Sequence, residues 1–529
     1  MAFKAGTSDR PHSTIDGIPY LYDSPKATFA YPSYRNIFRK IAVDEDAADG
    51  SDLFLNTALT PYTGQPRMVY GGGKVFFACP RHSNAGQETS AGMLFGLNPG
   101  RVHQNNKTRY GYLNDVTLKS NDRFFGVFYY NGERDKNNGW DDGTPWEKID
   151  IWSGGAGAQA NKSIAYTAGC IISGAPGYDD TGNNVTNAGG VRVQTDSEQY
   201  SGNGVRYHLP SFYGNYYYGD GPSPAGGGGQ KGGMYDTNAS GYQFNYMGAS
   251  VSAASGKMVV GFNRSLYKPN TAIGEDNKVW FYDDMQSVYS PFNGSGKVIK
   301  MKDIPIAKWY HDNASNYTQW GESHDIGCGR IVVGAPREDI LDGDGNVVTN
   351  YENQGAIYIF DYRGNLLRRV ANPTPNTSGA KGQFGRNVKI GGGRIVASGY
   401  SQSTHVFDLD GNHIKDILTE TSGVYLGGYE SFGDQIDVGF GYIVIGAYSD
   451  FINRGKVYLY DLDGNYLASI TGDATNERFG SGVCLGPGQL YIGGQGPSSG
   501  RGYCTAYELN YGRGIFTPYD VQAMEDGDK

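Results

Sequence analysis

Apolar and polar residues follow the same order several times along the chain. Each copy begins with a segment in which apolar and polar residues alternate, passes through a glycine turn, and ends in a run of apolar residues. Five stretches of equal length fit this order without gaps: residues 247–263, 320–336, 384–400, 432–448 and 479–495. Alternation is typical of a strand with one buried face, and a continuous apolar run is typical of a strand buried on both faces. Each copy therefore predicts a β-hairpin.

Three further stretches fit the same order less closely. Residues 64–80 and 160–176 have a weaker opening, and a stretch around 110–128 needs a longer turn. Glycine and asparagine tolerate the positive φ that tight hairpins need. The residues at the predicted turns are Gly73, Asn121, Gly169, Gly256, Gly329, Gly393, Gly441 and Gly488. Counting every copy gives eight hairpins.

A second recurring element follows the clearest hairpins. It reads GAIYIFDYRGN at 355–365, THVFDLDGN at 404–412 and GKVYLYDLDGN at 455–465, with a degenerate copy at 278–284. It predicts a third strand that ends in a polar turn, and the stretch 466–470 predicts a fourth strand. Four antiparallel strands in about 48 residues match one blade of a β-propeller. Because a single blade cannot cover both of its faces, we expect the blades to stack around an axis.

The openings and endings of these copies carry a family resemblance. The opening stands at Trp320-Gly321, Phe384-Gly385, Phe432-Gly433 and Phe479-Gly480, and the ending at Gly174-Ala175-Pro176, Gly334-Ala335-Pro336 and Gly446-Ala447-Tyr448. Over roughly residues 64–510 the chain thus resembles the FG-GAP repeats of integrin-α-like β-propellers. The resemblance implies seven blades, so the number of blades, seven or eight, stays open. It also implies a binding or assembly scaffold and not an enzyme.

One feature of that family is missing from this sequence. Its members often place a calcium loop, D-x-D-x-D-G, between the first and second strands of a blade. At that position this chain has short hairpins without carboxylates, such as GGGR at 391–394 and GFGY at 439–442. The family's calcium sites therefore do not carry over to this chain.

The predicted architecture is all-β. A propeller of seven or eight four-stranded antiparallel blades covers residues 64–515, an irregular N-terminal arm or docking segment covers residues 1–63, and a flexible C-terminal tail covers residues 516–529. Longer spacings between copies indicate insertions. The largest insertion, at about 200–246, is rich in glycine and tyrosine and has no apolar period, so it predicts a long loop.

Composition and charge exclude several classes of protein. The chain of 529 residues contains 81 glycines and 42 tyrosines, which suits short strands joined by tight turns. No apolar stretch is long enough for a membrane-spanning helix, so we expect no membrane insertion. The net charge of -9 argues against a nucleic-acid partner. The start of the sequence has no apolar segment typical of a secretion signal.

The five cysteines have scattered spacings that predict neither a disulfide framework nor a zinc site. Reduced, buried thiols are typical of a protein that folds in a reducing cytosol. The alternative is a disulfide between Cys484 and Cys504, which lie in the same predicted blade.

One acidic stretch is a candidate metal site. Asp339, Asp342, Asp344 and Asn346 lie in REDILDGDGN, and oxygen ligands at alternating positions with glycine between them can wrap a hard cation such as calcium. The simpler alternative is a solvated acidic hairpin loop. No cofactor other than calcium is expected.

Four tyrosines of the long insertion are candidate partner-binding residues: Tyr213, Tyr216, Tyr217 and Tyr218. Rigid amphipathic rings suit contacts with proteins or sugars. The alternative is that these rings pack on their own blade. The sequence contains no recognisable catalytic motif, so no residue is predicted to be catalytic.

The sequence favours a non-enzymatic structural protein of a viral particle, most simply of a tailed phage. Such a protein folds in the host cytoplasm and works outside it, which reconciles reduced thiols with the composition of an extracellular adhesive β protein. Its expected location is the virion, at the capsid or the tail. Its expected partners are other virion structural proteins and a host-surface glycan or receptor. Two alternatives remain, an integrin-like calcium-dependent cellular adhesin and a propeller enzyme acting on glycans.

Overall fold

The computed structural model describes β-strands and the turns next to them. The described residues are 12–15, 18–21, 38–45, 68–72, 74–79, 93–97, 146–149, 162–167, 170–174, 191–195, 247–262, 278–282, 297–300, 320–321, 323–340, 342–344, 347–375, 382–400, 404–417, 431–449, 453–472, 474–495 and 502–509. Throughout these ranges the regular elements are strands, so the predicted all-β class is confirmed for this part of the chain.

The strands are numbered in chain order. They are β1 (His12–Ile15), β2 (Ile18–Leu21), β3 (Phe38–Glu45), β4 (Met68–Gly71), β5 (Lys74–Cys79), β6 (Met93–Leu97), β7 (Trp146–Ile149), β8 (Ser163–Thr167), β9 (Cys170–Gly174), β10 (Val191–Thr195), β11 (Met247–Ala254), β12 (Lys257–Phe262), β13 (Lys278–Tyr282), β14 (Lys297–Lys300), β15 (His324–Gly327), β16 (Arg330–Ala335), β17 (Ala356–Asp361), β18 (Leu366–Ala371), β19 (Asn387–Gly391), β20 (Arg394–Ser398), β21 (Thr404–Phe407), β22 (His413–Ile417), β23 (Gln435–Gly439), β24 (Tyr442–Ala447), β25 (Lys456–Asp461), β26 (Tyr466–Thr471), β27 (Gly482–Gly486), β28 (Gln489–Gln495) and β29 (Gly502–Leu509).

Most sheets are built from consecutive strands. Five four-stranded sheets pair in chain order, β4 to β7, β11 to β14, β15 to β18, β19 to β22 and β23 to β26, and β8 to β10 form a three-stranded sheet. A sixth four-stranded sheet has the order β27-β28-β29-β3, and β1 pairs with β2. Neighbouring strands are antiparallel in the five sheets and in the sixth. The predicted four-stranded antiparallel units are therefore present.

Strand β3 comes from the segment that the sequence pattern left outside the repeats. It pairs with β29, with Cys504 opposite Asp44 and Leu509 opposite Phe38. The N-terminal region thus supplies the fourth strand of a sheet whose other three strands lie near the end of the chain. No hairpin joins β3 to its partner, so the local pattern gives no sign of this pairing.

Two of the predicted hairpin turns, after β15 and after β23, have the conformation that suits twisted strands. Cys328 and Gly329 have φ of 51° and 75°, and Phe440 and Gly441 have φ of 52° and 84°. Positive φ at both central residues defines a type I′ turn, whose twist matches that of the flanking strands. Glycine at the second position therefore favours the tight turn that sets the register of the first two strands in these two sheets.

Glycines also set the distance between neighbouring sheets. A Cβ added to Gly334 would overlap the carbonyl oxygen of Gly385 in the next sheet, and a Cβ added to Gly446 would overlap that of Gly480. At the corresponding place in a third sheet, Ser398 donates a hydrogen bond of 2.7 Å from Oγ to the Gly433 carbonyl. The end of one hairpin therefore packs backbone to backbone against the opening of the next.

Apolar side chains fill the space between consecutive sheets. Phe384 and Val388 pack with Val332, Ile357 and Ile359 of the preceding sheet, and all five residues are buried. Burying one such side chain fully contributes about 1.5–3 kcal/mol. The core is therefore distributed over the interfaces between sheets.

Arginines connect the outer turn of one sheet to the sheet before it. Arg394 donates from Nε to the Leu462 carbonyl oxygen over 3.1 Å and from Nη2 to Asp463 Oδ1 over 2.8 Å. Arg330 makes the same pair of contacts with the turn at 408–412. The repeated D-x-x-G-N turns are thus both hairpin turns and docking points for the neighbouring sheet.

The least regular of the eight predicted hairpins, around residues 110–128, can be placed in the order of the strands. Residues around 110–128 lie outside the described residues, in the connection between β6 and β7. Because β6 and β7 pair with each other, this stretch is inserted between the third and fourth strands of one sheet.

We call β4, β8, β11, β15, β19, β23 and β27 the first strands, because each begins its sheet. Each first strand contacts two others: β4 contacts β8, β8 contacts β11, β11 contacts β15, β15 contacts β19, β19 contacts β23, β23 contacts β27, and β27 contacts β4. The first strands therefore contact one another in sequence, and the second strands β12, β16, β20 and β24 each also contact the first strand of the next sheet.

Candidate binding cavity between the first strands

A cavity of about 410 Å³ lies between the first strands. Each of the seven first strands contributes to its lining, for example Tyr70, Tyr166, Asp325 and Leu485. Cavities of roughly 300–1,000 Å³ with a few convergent polar groups are typical of small-molecule sites. This cavity is therefore the candidate functional site of the described residues.

Four polar side chains of the cavity come from one position of the repeat, four residues before the turn glycine. Val69, Ala165, Ser252, Asp325, Lys389, Asp437 and Cys484 occupy this position in the seven sheets. Ser252, Asp325, Lys389 and Asp437 line the cavity. Three consecutive repeats thus place a carboxylate, an ammonium group and a second carboxylate along its wall.

Asp325 and Asp437 are each tied to the first strand that follows. Oδ2 of Asp325 accepts a hydrogen bond of 2.9 Å from the Ile390 backbone N–H, and Oδ2 of Asp437 accepts one of 2.7 Å from the Leu485 N–H. Both carboxylates therefore hold neighbouring sheets together in addition to facing the cavity.

Lys389 lies close to Asp325. Its Nζ is 3.7 Å from Oδ2 of Asp325, and the two side chains are only 14% and 10% exposed. Burial raises the pKa of Asp325 above its ordinary value, although Lys389 and the Ile390 N–H pull it down. Desolvation is the largest of these effects, so the net shift of the pKa is upward.

A buried histidine joins β11 to β15 beside the cavity. His324 Nε2 is 2.8 Å from Ser250 Oγ, and Nδ1 is 2.8 Å from Ser252 Oγ. Burial lowers the pKa of His324 to about 3, and the charge of Lys389 contributes to this shift. The imidazole is therefore neutral at physiological pH, with one nitrogen donating and the other accepting.

The hydrogen-bond network assigns the tautomer of His324. Ser250 Oγ donates to the Gly321 carbonyl oxygen over 3.4 Å, so it accepts from Nε2–H of the imidazole. Nδ1 then accepts from the Ser252 hydroxyl, which lines the cavity. The cavity wall thus presents a serine oxygen held by a neutral histidine, next to the carboxylates and the lysine.

Two of the predicted calcium ligands are engaged with backbone N–H groups of the protein. Asp339 is buried, and its Oδ1 accepts a hydrogen bond of 2.6 Å from the Asn353 N–H. Asp342 is exposed, and its Oδ1 accepts one of 2.9 Å from the N–H of Asp344, which is also exposed. Asn346 lies outside the described residues. Calcium binding by this loop stays a prediction.

The residue before Asp339 is held in place by a buried ion pair. Glu338 Oε1 accepts a hydrogen bond of 2.7 Å from Arg369 Nε, and Glu338 Oε2 accepts one of 2.7 Å from the Tyr358 hydroxyl. Burial raises the pKa of Glu338, and Arg369 and Tyr358 oppose that shift. This network fixes the base of the acidic loop to the sheet beneath it.

The remaining candidates are placed as follows. Tyr213, Tyr216, Tyr217 and Tyr218 lie outside the described residues, so partner binding by these residues stays a prediction. Among the described residues, His405, His413 and Asp416 form a group of three potential metal ligands, which no sequence motif had predicted. No helix of the described residues is long and apolar enough to span a membrane.

The disulfide considered between Cys484 and Cys504 is excluded by strand order. Cys484 lies in β27 and Cys504 in β29, and β28 runs between them. Two strand spacings separate their backbones by about 9–10 Å, whereas a disulfide requires Cα atoms within about 7 Å. Cys484 is a buried thiol, and Cys328 is also a thiol.

Comparisons with known proteins add little. No family model matches the chain, and no curated protein matches it. Among solved structures, the chain is similar to the crystal structure of the computationally designed Ika4 protein, with 13% identity and a TM-score of 0.23 over 36% of this chain and 90% of that chain. A TM-score this low carries no argument about fold or function, so the FG-GAP resemblance stays a prediction.

Proposed function

We propose that the protein is a seven-bladed β-propeller of the FG-GAP type that serves as a non-enzymatic interaction scaffold. The observation that carries this proposal is the cyclic order of contacts among the first strands, in which β27 contacts β4. Seven sheets whose first strands meet in this order surround one cavity, as the blades of a propeller surround their axis.

The pairing of β3 with β29 supports the same arrangement. A sheet completed by strands from both ends of the chain ties the last blade to the first. Such a pairing leaves fewer open strand edges and makes separation of the terminal blades costly. The position of 110–128 between the paired strands β6 and β7 supports seven blades over eight.

A scaffold role also fits the chemistry of the cavity. Asp325 and Asp437 accept hydrogen bonds from backbone N–H groups of the next first strand, so their carboxylates stabilise the contacts between blades. His324 bridges two serines in a buried site. The two carboxylates and the imidazole already form hydrogen bonds within the protein. This favours a structural or binding role for them over a catalytic one.

We further propose that the scaffold belongs to a viral particle, that of a tailed phage, at its capsid or tail. The buried thiol of Cys484 fits folding in a reducing cytoplasm. The glycine- and tyrosine-rich composition fits a protein with many contact loops. Its partners would be other virion structural proteins, and a host-surface glycan or receptor.

Two measurements test the two parts of this proposal. Electron-microscopy class averages of the purified protein are expected to show a disc with seven radial blades, and an open stack of sheets or eight blades would contradict the architecture. Immunogold labelling is expected to mark purified virus particles. Protein found in cells and never in purified particles would refute the virion assignment and leave the propeller intact.

A further inference from the structure

Three side chains with metal-binding atoms converge on the hairpin formed by β21 and β22. His405 Nδ1 is 2.7 Å from Asp416 Oδ1, and His413 Nε2 is 2.6 Å from the same oxygen. The three atoms lie within 4.8 Å of one another. The strands create this arrangement, because His405 stands directly opposite Asp416 in the antiparallel register.

The two imidazole rings are held by aromatic neighbours. The side chain of His405 is fully buried, and its ring meets Phe384 edge to face at a centroid distance of 5.2 Å. The ring of His413 meets Phe407 at 5.4 Å. Rotation of either ring would disturb this packing, so the nitrogens are oriented before any ligand arrives.

The far nitrogen of His405 also has a polar neighbour. Nε2 lies 3.5 Å from Thr374 Oγ1, in the loop after β18. In metal sites the second imidazole nitrogen usually donates to a polar group, which fixes the tautomer and leaves the first nitrogen free to bind the ion. Thr374 is placed for this role.

We propose that His405, His413 and Asp416 bind a divalent transition-metal ion, zinc in the first instance. Two imidazoles and a carboxylate are ligands typical of Zn²⁺, whereas calcium selects oxygen ligands. In the metal-bound form each imidazole is neutral, with its proton on the nitrogen that does not face the ion, and Asp416 is ionised. This inference does not depend on the proposed scaffold function.

The site needs small adjustments to admit the ion. Ligand bonds of about 2.1 Å in tetrahedral geometry place ligand atoms about 3.4 Å apart, so Asp416 moves away from each nitrogen by roughly 0.7 Å. The side chains of His413 and Asp416 are 38% and 35% exposed, so they have room to move. The same exposure leaves the fourth position of the ion open to water or to a donor from a partner.

Zinc binding to the full-length protein, without a histidine tag, tests this proposal. Isothermal titration with Zn²⁺ alone is expected to give one saturable site in the wild type. His413→Ala and Asp416→Asn are each expected to weaken zinc binding by at least about 10–100-fold. Loss of a residue that only hydrogen-bonds to a metal ligand already has an effect of this size. The matched control is Asp410→Asn, a 74% exposed carboxylate in the turn of the same hairpin, which should bind zinc like the wild type.

A second measurement separates metal binding from loss of the fold. Zn²⁺ is expected to raise the melting temperature of the wild type and of Asp410→Asn, and to leave that of Asp416→Asn unchanged, because a ligand that binds only the native state stabilises it. No saturable zinc site in the wild type, or equal affinity in Asp416→Asn, would overturn the proposal. The three side chains would then form a hydrogen-bonded cluster without a metal.

Discussion

His324 makes the stability of the protein depend on pH in a way that can be calculated. Burial lowers its pKa to about 3, compared with 6.5 for an ordinary histidine. At pH 7 the imidazole is neutral in the folded state and mostly neutral in the unfolded state. Below pH 6.5 the imidazole is protonated in the unfolded state but stays neutral in the folded state. The contribution of His324 to the free energy of unfolding is therefore full above pH 6.5 and is lost as the pH falls toward 3.

The size of the effect follows from the same shift. At pH 5 the unfolded histidine is almost fully protonated, which costs the folded protein about 2 kcal/mol, and near pH 3 the loss approaches about 5 kcal/mol. The buried carboxyls of Asp325 and Glu338 have raised pKa values, so acid stabilises the folded state through them. They act in the opposite direction, and only a comparison of variants isolates His324.

The comparison uses His324→Gln, since an amide can still form hydrogen bonds with Ser250 and Ser252. Urea unfolding of wild type and variant is measured at pH 7 and at pH 5. Between these values the wild type is expected to lose about 2 kcal/mol more than the variant, because all other titrating groups are common to both. Equal losses in the two proteins would refute the idea that a buried neutral imidazole joins β11 to β15.

Other predictions concern the contacts between sheets and the acidic loop. Gly334→Ala is expected to lower the free energy of unfolding by about 1–3 kcal/mol, because the new Cβ overlaps the backbone of the next sheet. Gly343→Ala is the control, and its effect should be within about 0.5 kcal/mol because no atom lies within 4 Å of the new Cβ. If urea unfolding showed similar losses of free energy for both variants, close packing of the sheets at Gly334 would be refuted. A double-mutant cycle of Arg394→Met and Asp463→Ala is expected to give a coupling energy of about 0.5–1 kcal/mol, and additive effects would mean that the ion pair contributes nothing. If residues 339–346 bind calcium, chelation with EGTA is expected to lower the melting temperature. An unchanged melting temperature would favour the alternative, a solvated hairpin loop without a metal.

The position that supplies Asp325, Lys389 and Asp437 could have been found from the sequence. Charged residues stand four places before the turn glycine in three consecutive repeats, at Asp325, Lys389 and Asp437. The pattern alone could not say that the three side chains share a cavity. That requires the first strands of different sheets to face one another, which is a property of the tertiary structure.

The histidine cluster was harder to anticipate. His405 and His413 belong to different strands, and their spacing matches no metal-binding motif. The antiparallel register places Asp416 opposite His405, and the shift between Val406 and Phe407 sets His413 opposite Phe407. The same shift occurs beside the D-x-x-G-N turns of two other sheets, but only the tertiary structure shows that it brings His413 to Asp416.

The sequence by itself determined the local units of this protein. Alternating and continuous apolar segments, with glycine at the turns, predicted the hairpins and the third and fourth strands, because these features depend on residues close together in the chain. The tertiary structure alone decided the pairing of β3 with β29, the approach of Gly334 to the next sheet, and the charges that meet in the cavity. These contacts join residues far apart in sequence, and their energy depends on geometry that no local pattern contains.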